Sequence, residues 1–189
     1  MTYATIIPPA AEPLTLSEAK AHLRLDGAEE DALLTSLIAT ARVHLEAETG
    51  LSLIERTLRL YRDDWPGDGV LNLDHGPVKA VSSVTVYDEA GDPAMVPLTG
   101  HRLDGVARPA RLWLAQRPAP GAALNGIEVD FVAGYGASGA DVPEVLKRAM
   151  LTHVALMFAF RGAVVAENQP AGVPDGYERL IAPFRLRRL

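Results

Sequence analysis

One stretch of the sequence, residues 29–50, constrains the fold most because it predicts a single long helix. Its apolar side chains recur at three- and four-residue spacing, as Leu34, Leu37, Ile38, Ala41 and Leu45. Acidic residues at 29–31 suit the positive end of a helix dipole, and Gly50 can take the left-handed conformation that often ends a helix. The chain must therefore bury at least one face of this helix.

The same stretch carries a second stripe, made of small residues, on the opposite side of the helix. Its members are Ala32, Ser36, Ala39, Val43 and Ala47. Small side chains let another backbone approach closely, so the stripe is a candidate for packing between subunits. The alternative is that both stripes pack inside one monomer.

Composition excludes several functional classes. The chain has 189 residues, a hydrophobic content of 48% and a formal net charge of -6. The hydrophobic content can supply a core, whereas the acidic balance argues against a general nucleic-acid-binding surface. No cysteine is present, which excludes disulfides, thiolate zinc sites and cysteine nucleophiles. The sequence also contains no run of roughly 18 apolar residues and no signal-peptide pattern, so we expect no membrane partner.

The remaining patterns predict an α+β fold, mainly a helical bundle with an inserted antiparallel β region. A capping box at Thr15 and Glu18 predicts a short helix over residues 16–23. Alternating apolar residues predict strands at 57–61, 70–73, 81–87, 111–114 and 127–132. Asp141 as a cap and Pro143 in the first turn predict another helix up to residue 160, and a last short helix is expected near 177–181.

These elements suggest one domain over residues 1–189. The bundle is expected from residues 14–52 and 141–189, and the β insertion from residues 53–140. Residues 1–13 contain three prolines and predict an extended N-terminal arm, while residues 183–189 predict a C-terminal docking tail.

A glycine-rich loop at residues 134–139 matches G-x-G-x-x-G literally. A dinucleotide site needs the helix to begin inside the glycine run and an acidic residue about 20 positions later. Here the helix restarts only near Asp141, and Ala159 stands where the acid is required. We therefore interpret the loop as a hinge between sheet and helix. A nucleotide-binding enzyme is the rival class.

No other motif predicts catalysis or a cofactor. The histidines at 22, 44, 75, 101 and 153 lack metal-ligand spacing, and HExxH is absent. The serines lack the context of a nucleophile elbow. Asp63 and Asp64 could bind a cation, but their position beside Trp65 and Pro66 favours a solvated turn. We expect no catalytic residue, no metal ion and no cofactor.

The C-terminus combines positive charge with apolar anchors, as interface segments often do. The candidate docking residues are Phe184, Arg185, Leu186, Arg187, Arg188 and Leu189. A frayed, solvated tail is the alternative.

The order of these elements resembles the head-tail connector (adaptor) proteins of long-tailed phages and gene transfer agents. The resemblance rests on LTLSEAKAHLRLDGAEEDALLTSLIATARVHLEAETG, DDWP, VSSVTVYDEAGD, FVAGYG and DVPEVLKRAMLTHVALMFAFRG, between residues 14 and 162.

The resemblance implies a structural protein of the virion or phage-like particle neck that is assembled in the bacterial cytoplasm. It implies a homo-oligomeric ring, commonly a dodecamer, between the portal protein and a stopper or tail-joining protein. Double-stranded DNA would pass through the ring, and residues 185–189 would face the portal. Another virion joining protein, such as a stopper or tail-completion protein, is the closest alternative.

Overall fold

The computed structural model describes residues 2–160 and 172–185 and contains helices together with antiparallel sheets. The helices in these residues are α1 (Leu16–Leu23), α2 (Asp31–Thr49), α3 (Glu144–Ala159) and α4 (Tyr177–Ile181). The strands are β1 (Thr2–Ile7), β2 (Arg56–Arg62), β3 (Val70–Leu73), β4 (Val78–Tyr87), β5 (Pro93–Met95), β6 (Arg102–Asp104), β7 (Ala110–Trp113) and β8 (Ile127–Ala133). Short 3-10 turns occupy Gly139–Asp141 and Ala182–Phe184.

The α+β class expected from the sequence is confirmed, but the expected predominance of helix is not. Helices account for 31% of the chain and strands for 28%, so neither type dominates. The sequence pattern revealed five strands and missed β1, β5 and β6. Two of these have only three residues, which is too short for alternation to be recognised.

The chain divides into two compact units. The sheet unit consists of Met1–Ala10 and Glu55–Tyr135, and the helical unit consists of Ala11–Ile54 and Gly136–Leu189. The N-terminal residues thus belong to the sheet unit, although the sequence predicts a separate arm there.

The sheet unit contains a five-stranded sheet in the order β1-β2-β8-β4-β5 and a three-stranded sheet in the order β3-β7-β6. Strand β8 lies between β2 and β4, where Phe131 stands opposite Leu58 and Val81. Alternate residues of β8 are buried, as expected for a strand with one face on a core. The core includes residues of both sheets, among them Leu60, Leu71, Val84, Leu112, Val129 and Phe131.

The predicted N-terminal arm is an edge strand over its first half. Residues Thr2–Ile7 form β1 and pair antiparallel with β2. Tyr3 anchors the strand, because its ring lies edge-on to Phe131 and its hydroxyl oxygen accepts the backbone N–H of Asp74 at 3.0 Å. Burial raises the pKa of Tyr3 to about 12. Sequence reasoning missed this strand because its paired residues on β2 are 50 to 59 positions away along the chain.

In the helical unit, α1 has the boundaries and the capping box that the sequence predicts. The Thr15 hydroxyl accepts the backbone N–H of Glu18, whose carboxylate accepts the backbone N–H of Thr15. Glu18 also pairs with Lys147 of α3 at 2.6 Å. The hydrogen bond from Lys147 lowers the pKa of Glu18 to about 2. One residue therefore caps α1 and attaches it to α3.

Helix α2 ends as predicted, with Gly50 left-handed and its N–H donated to the carbonyl of Glu46. An ion-pair network holds the middle of the helix. Arg42 donates to Glu12 at 2.7 Å and to Glu46 at 3.2 Å, and Glu46 in turn accepts the backbone N–H of Leu53 at 2.9 Å. Glu46 is buried and satisfied on both carboxylate oxygens, so α2 is held firmly on this side.

The start of α3 differs from the prediction. Asp141 does not cap α3; its carboxylate accepts the N–H and hydroxyl of Ser138 and closes the short 3-10 turn. Pro143 is the N-cap residue, and the helix begins at Glu144. The proline explains the difference, because it disfavours helical geometry in the preceding Val142, which is extended at φ -83° and ψ 133°.

Candidate assembly surfaces

The two faces of α2 have opposite environments. Leu34, Ile38, Ala41 and Leu45 are buried in the helical unit, as the apolar periodicity predicts. The small-residue stripe (Ala32, Ser36, Ala39, Val43 and Ala47) lies on the other side. Four of its members are exposed and Ala39 is half-buried. Val43, near the middle of the stripe, is 56% exposed. In the single subunit the stripe is therefore a surface, not part of the core.

Helix α4 leads into the predicted docking tail and is attached to the helical bundle. Its contacts are mainly with α3, and both Tyr177 and Ile181 are buried. Beyond it, Arg185 pairs with Glu48 of α2 at 2.6 Å and with Glu178 of α4 at 2.5 Å. The structure therefore fixes the root of the tail. Phe184 and Arg185 are described, whereas Leu186, Arg187, Arg188 and Leu189 lie outside the described residues.

The glycine-rich loop is filled by protein atoms. A Cβ on Gly136 would lie 2.2 Å from the Asp141 carboxyl carbon, and a Cβ on Gly139 would lie 2.3 Å from the backbone oxygen of Pro13. The Asp141 carboxylate accepts hydrogen bonds from the backbone N–H and the hydroxyl of Ser138. A dinucleotide site would instead present free backbone N–H groups to phosphate at this position. The glycines here permit close packing and offer no cradle for a nucleotide.

The structure places two histidines together, which the sequence did not reveal. The rings of His44 and His153 lie 4.9 Å apart, and both lie within 6 Å of the Tyr177 ring. The His153 Nδ1 and the Tyr177 hydroxyl are buried without a hydrogen-bond partner in the described part of the chain. Burial lowers the pKa of His153, and the electrostatic effect of the neighbouring His44 lowers it further. Their separation in sequence, across α2, α3 and α4, explains why no motif showed them.

The other candidates for chemistry have structural roles. Asp63 accepts the backbone N–H of Asn125, and Asp64 accepts that of Trp65, so both stabilise loops. Within residues 2–160 and 172–185, no three His, Asp or Glu side chains group as metal ligands. No helix in those residues has the length and apolar character to span a membrane.

A surface tryptophan is the main feature that sequence reasoning missed. Trp113, at the end of β7, is 37% exposed. The guanidinium carbons of Arg102 and Arg117 lie 6.0 Å and 5.9 Å from its ring centroid. The available signal was the alternation of Arg111, Leu112 and Trp113, which turns every second side chain of β7 outward.

Comparison with known proteins identifies this architecture. Residues 13–92 match the family model described as phage gp6-like head-tail connector protein. The match covers α1 and α2 and extends through β4. No curated protein matches the chain.

Three solved structures contain chains similar to this one along its whole length. One is from the virion of a native gene transfer agent particle, with a TM-score of 0.82. The others are from the neck of an empty particle computed with C6 symmetry, at 0.83, and from the neck of a native particle computed with C12 symmetry, at 0.80. Each is 28% identical and is matched over 100% of this chain and 97% of its own.

The cyclic symmetries of those neck structures support a ring oligomer. The matches confirm the resemblance recognised from the sequence. The chain is similar to the head-tail connector proteins of phages and gene transfer agents, and it is a structural protein of the virion neck and not an enzyme.

Proposed function

We propose that the chain is the adaptor subunit of a head-tail neck. Copies form a dodecameric ring between the portal protein and a stopper or tail-joining protein, and double-stranded DNA passes through the central channel. The observation that carries this proposal is the full-length similarity to a chain in a neck computed with C12 symmetry. We further propose that the ring assembles in the bacterial cytoplasm, in a phage or a gene transfer agent.

The exposed stripe on α2 supports packing between subunits. Ala32, Ser36 and Ala47 are small and exposed, so a neighbouring backbone could approach α2 closely along this line. The opposite face of α2 is already buried in its own subunit. The helix would therefore contact its own bundle on one side and the next copy on the other.

The charge of the chain supports the passage of DNA without strong retention. The formal net charge of -6 makes a ring of many copies strongly acidic. Binding to the DNA backbone requires clustered Lys and Arg that neutralise phosphates, and each such contact strengthens binding. A ring of subunits that are acidic overall lacks a general attraction of this kind, which suits a protein through which DNA must move.

The C-terminal tail is the proposed portal-docking segment, formed by Phe184, Arg185, Leu186, Arg187, Arg188 and Leu189. Arg185 forms ion pairs with Glu48 and Glu178 of its own subunit, so its main role would be to position the tail. Only the exposed part of its side chain would contact the portal. Arg187 and Arg188 would then supply the charge that pairs with the portal. Phe184 and the two leucines would supply apolar anchors.

Electron microscopy of the protein mixed with its portal tests the proposal. We expect a ring stacked on one end of the portal, with its channel aligned with the portal channel. A ring that binds only to an already completed neck would instead identify a stopper. Protein that binds only to isolated tails would identify a tail-completion protein.

Deletion of residues 183–189 tests the docking segment separately. We expect a folded protein that no longer binds the portal, because none of Pro183, Phe184 and Arg185 belongs to the buried core. The double variant Arg187→Glu, Arg188→Glu should have nearly the same effect, and variants that lose only part of the charge should bind with a salt dependence. Arg179→Glu is the matched control, since it reverses an exposed charge on α4 outside the proposed docking segment. Normal portal binding by the truncated protein would show that docking lies elsewhere on the subunit.

A further inference from the structure

The three-stranded sheet of the sheet unit presents a charged aromatic surface to solvent. Strand β7 lies in its centre, with Ala110 and Leu112 turned into the core and Trp113 turned outward. Trp113 stands opposite Arg102 on one neighbouring strand. Arg117 reaches the same ring from the following loop and donates to the carbonyl of Gly69 at 2.9 Å. We name Arg102, Trp113 and Arg117 the tryptophan platform.

The positive charge of the tryptophan platform is not neutralised by the described part of the subunit. Arg111, on the same face, pairs with Asp104 at 2.6 Å. In contrast, neither Arg102 nor Arg117 contacts a carboxylate in residues 2–160 and 172–185. The described residues thus leave two guanidinium groups without a carboxylate beside an exposed indole, on a chain whose formal net charge is -6.

This composition is typical of the residues that contribute most to protein–protein interfaces. Tryptophan and arginine are enriched among such residues, because an indole buries a large rigid area and a guanidinium can bind a carboxylate through two hydrogen bonds. A guanidinium stacked on an aromatic ring is also held in place before binding. The platform therefore fits an acidic segment that also carries an apolar side chain.

The chain itself contains such a segment in the hairpin tip (residues 88–92) between β4 and β5. The Asp88 carboxylate accepts the backbone N–H groups of Ala90 and Asp92, both at 2.9 Å, so the turn is rigid before any contact. Glu89 and Asp92 are exposed, and within the described residues neither carboxylate pairs with a cationic side chain. Met95 follows on β5 and is 68% exposed.

We propose that the hairpin tip of one copy docks on the tryptophan platform of the next copy in the ring. Glu89 and Asp92 pair with Arg102 and Arg117, while Met95 packs against Trp113. The two surfaces are chemically complementary. Carboxylates pair with guanidinium groups, and the thioether of methionine packs against an aromatic ring. The proposal rests on the ring proposed above.

The two surfaces differ from each other, so the contact is head-to-tail. Repeating such a contact from copy to copy closes into a ring when the rotation is right, which a contact between identical patches cannot do beyond a dimer. A rigid turn and stacked guanidinium groups lose little freedom on binding, so a small contact can still contribute to ring stability.

Cross-linking between introduced cysteines tests the contact directly, because the natural chain contains none. Val70 stands opposite Trp113 in the sheet, and Met95 belongs to the proposed partner segment. We expect a protein with Val70→Cys mixed with one carrying Met95→Cys to give a covalent dimer with a short bismaleimide reagent. A single chain that carries both Val70→Cys and Met95→Cys should give a ladder of multimers. Leu124→Cys, 75% exposed in another loop, replaces Met95→Cys in the matched control and should give neither product.

Charge exchange provides the second measurement. With the cysteines in place, the double variant Arg102→Glu, Arg117→Glu should slow cross-linking about ten-fold, and Glu89→Lys, Asp92→Lys should do the same. We then mix a protein that carries Arg102→Glu and Arg117→Glu with one that carries Glu89→Lys and Asp92→Lys. This mixture should recover most of the cross-linking rate, because the charges are again complementary.

The outcomes separate this contact from the ring and from other occupants. Rings seen by electron microscopy without specific cross-linking would overturn the contact and leave the ring in place. Specific cross-linking without rings would support the contact and contradict the ring. If reversal of the two arginines weakens the binding of a short DNA duplex and does not alter cross-linking, the platform binds phosphate and the proposal is wrong.

Discussion

Replacing Val43 with Trp tests whether α2 packs against a neighbouring subunit. Val43 is 56% exposed near the middle of the small-residue stripe, so an indole there enters solvent in the isolated subunit. Valine and tryptophan have similar helix propensities. We therefore expect the free energy of unfolding to change by no more than about 0.5 kcal/mol, as is usual for surface substitutions.

The expected effect on the ring is much larger. A contact built on alanine and serine leaves no space for an indole, and overpacking of a close-packed site costs about 1–3 kcal/mol. At 1.4 kcal/mol for each factor of ten, the affinity of each contact should fall about five-fold to more than a hundred-fold. The loss recurs at every contact, so a closed ring should be almost absent.

Mass photometry and electron microscopy, each with and without the portal, measure ring formation. Circular dichroism and urea unfolding measure the fold. Leu124→Trp is the matched control, because it adds the same side chain at an exposed loop position. Leu45→Ala is the control for a loss of stability within the subunit. Leu45 is fully buried on the other face of α2, so its truncation should cost about 2–5 kcal/mol of stability.

Either of two results would refute this reasoning. Rings of normal abundance from Val43→Trp would show that the stripe is not an intersubunit surface. A large loss of stability in the variant, comparable with that of Leu45→Ala, would show that the stripe is buried within one subunit.

Two further predictions concern stability. Because the folded-state pKa of His153 lies below its ordinary value of 6.5, the unfolded chain binds more protons under acidic conditions; stability should be greatest above that value and decrease as the pH falls through it. Thermal unfolding between about pH 8 and about pH 5 should show this decrease, and His153→Phe should reduce it; an unchanged pH profile would contradict the assignment. Gly136→Ala should destabilise the protein by about 1–3 kcal/mol in urea unfolding, because the new Cβ meets the Asp141 carboxylate. Gly67→Ala has open space around its Cβ and is the control, so equal effects from the two variants would rule out this packing argument.

Local signals in the sequence were sufficient where an element is stabilised by its own residues. The capping box at Thr15 and Glu18 predicted the start of α1, and Gly50 predicted the end of α2. Alternation predicted β4 and β8 because each has one face on the core. These patterns depend on neighbours within a few positions, which a single sequence displays directly.

Features that depend on distant residues could not be predicted in the same way. Strand β1 pairs with β2, and the paired residues, from Ile7 with Thr57 to Thr2 with Tyr61, are 50 to 59 positions apart. The nearby prolines suggested irregular structure instead. The platform needs Arg102 on β6 and Arg117 in a loop to reach Trp113 on β7. The contact between His44 and His153 requires α2 and α3 to pack together first. In each case the three-dimensional fold creates the site.

Helix α2 connects the two surfaces that the proposed function needs in the helical unit. Its exposed stripe includes Val43, and Glu48, five residues further along, holds Arg185 at the root of the C-terminal tail. On its buried side, Glu46 is fixed by Arg42 and by the backbone of Leu53. A helix that is held at several points moves as one body, because its own hydrogen bonds resist bending. When a neighbouring copy positions α2, it therefore also positions the root of the tail, and ring formation places the proposed docking segments at equal intervals around the portal.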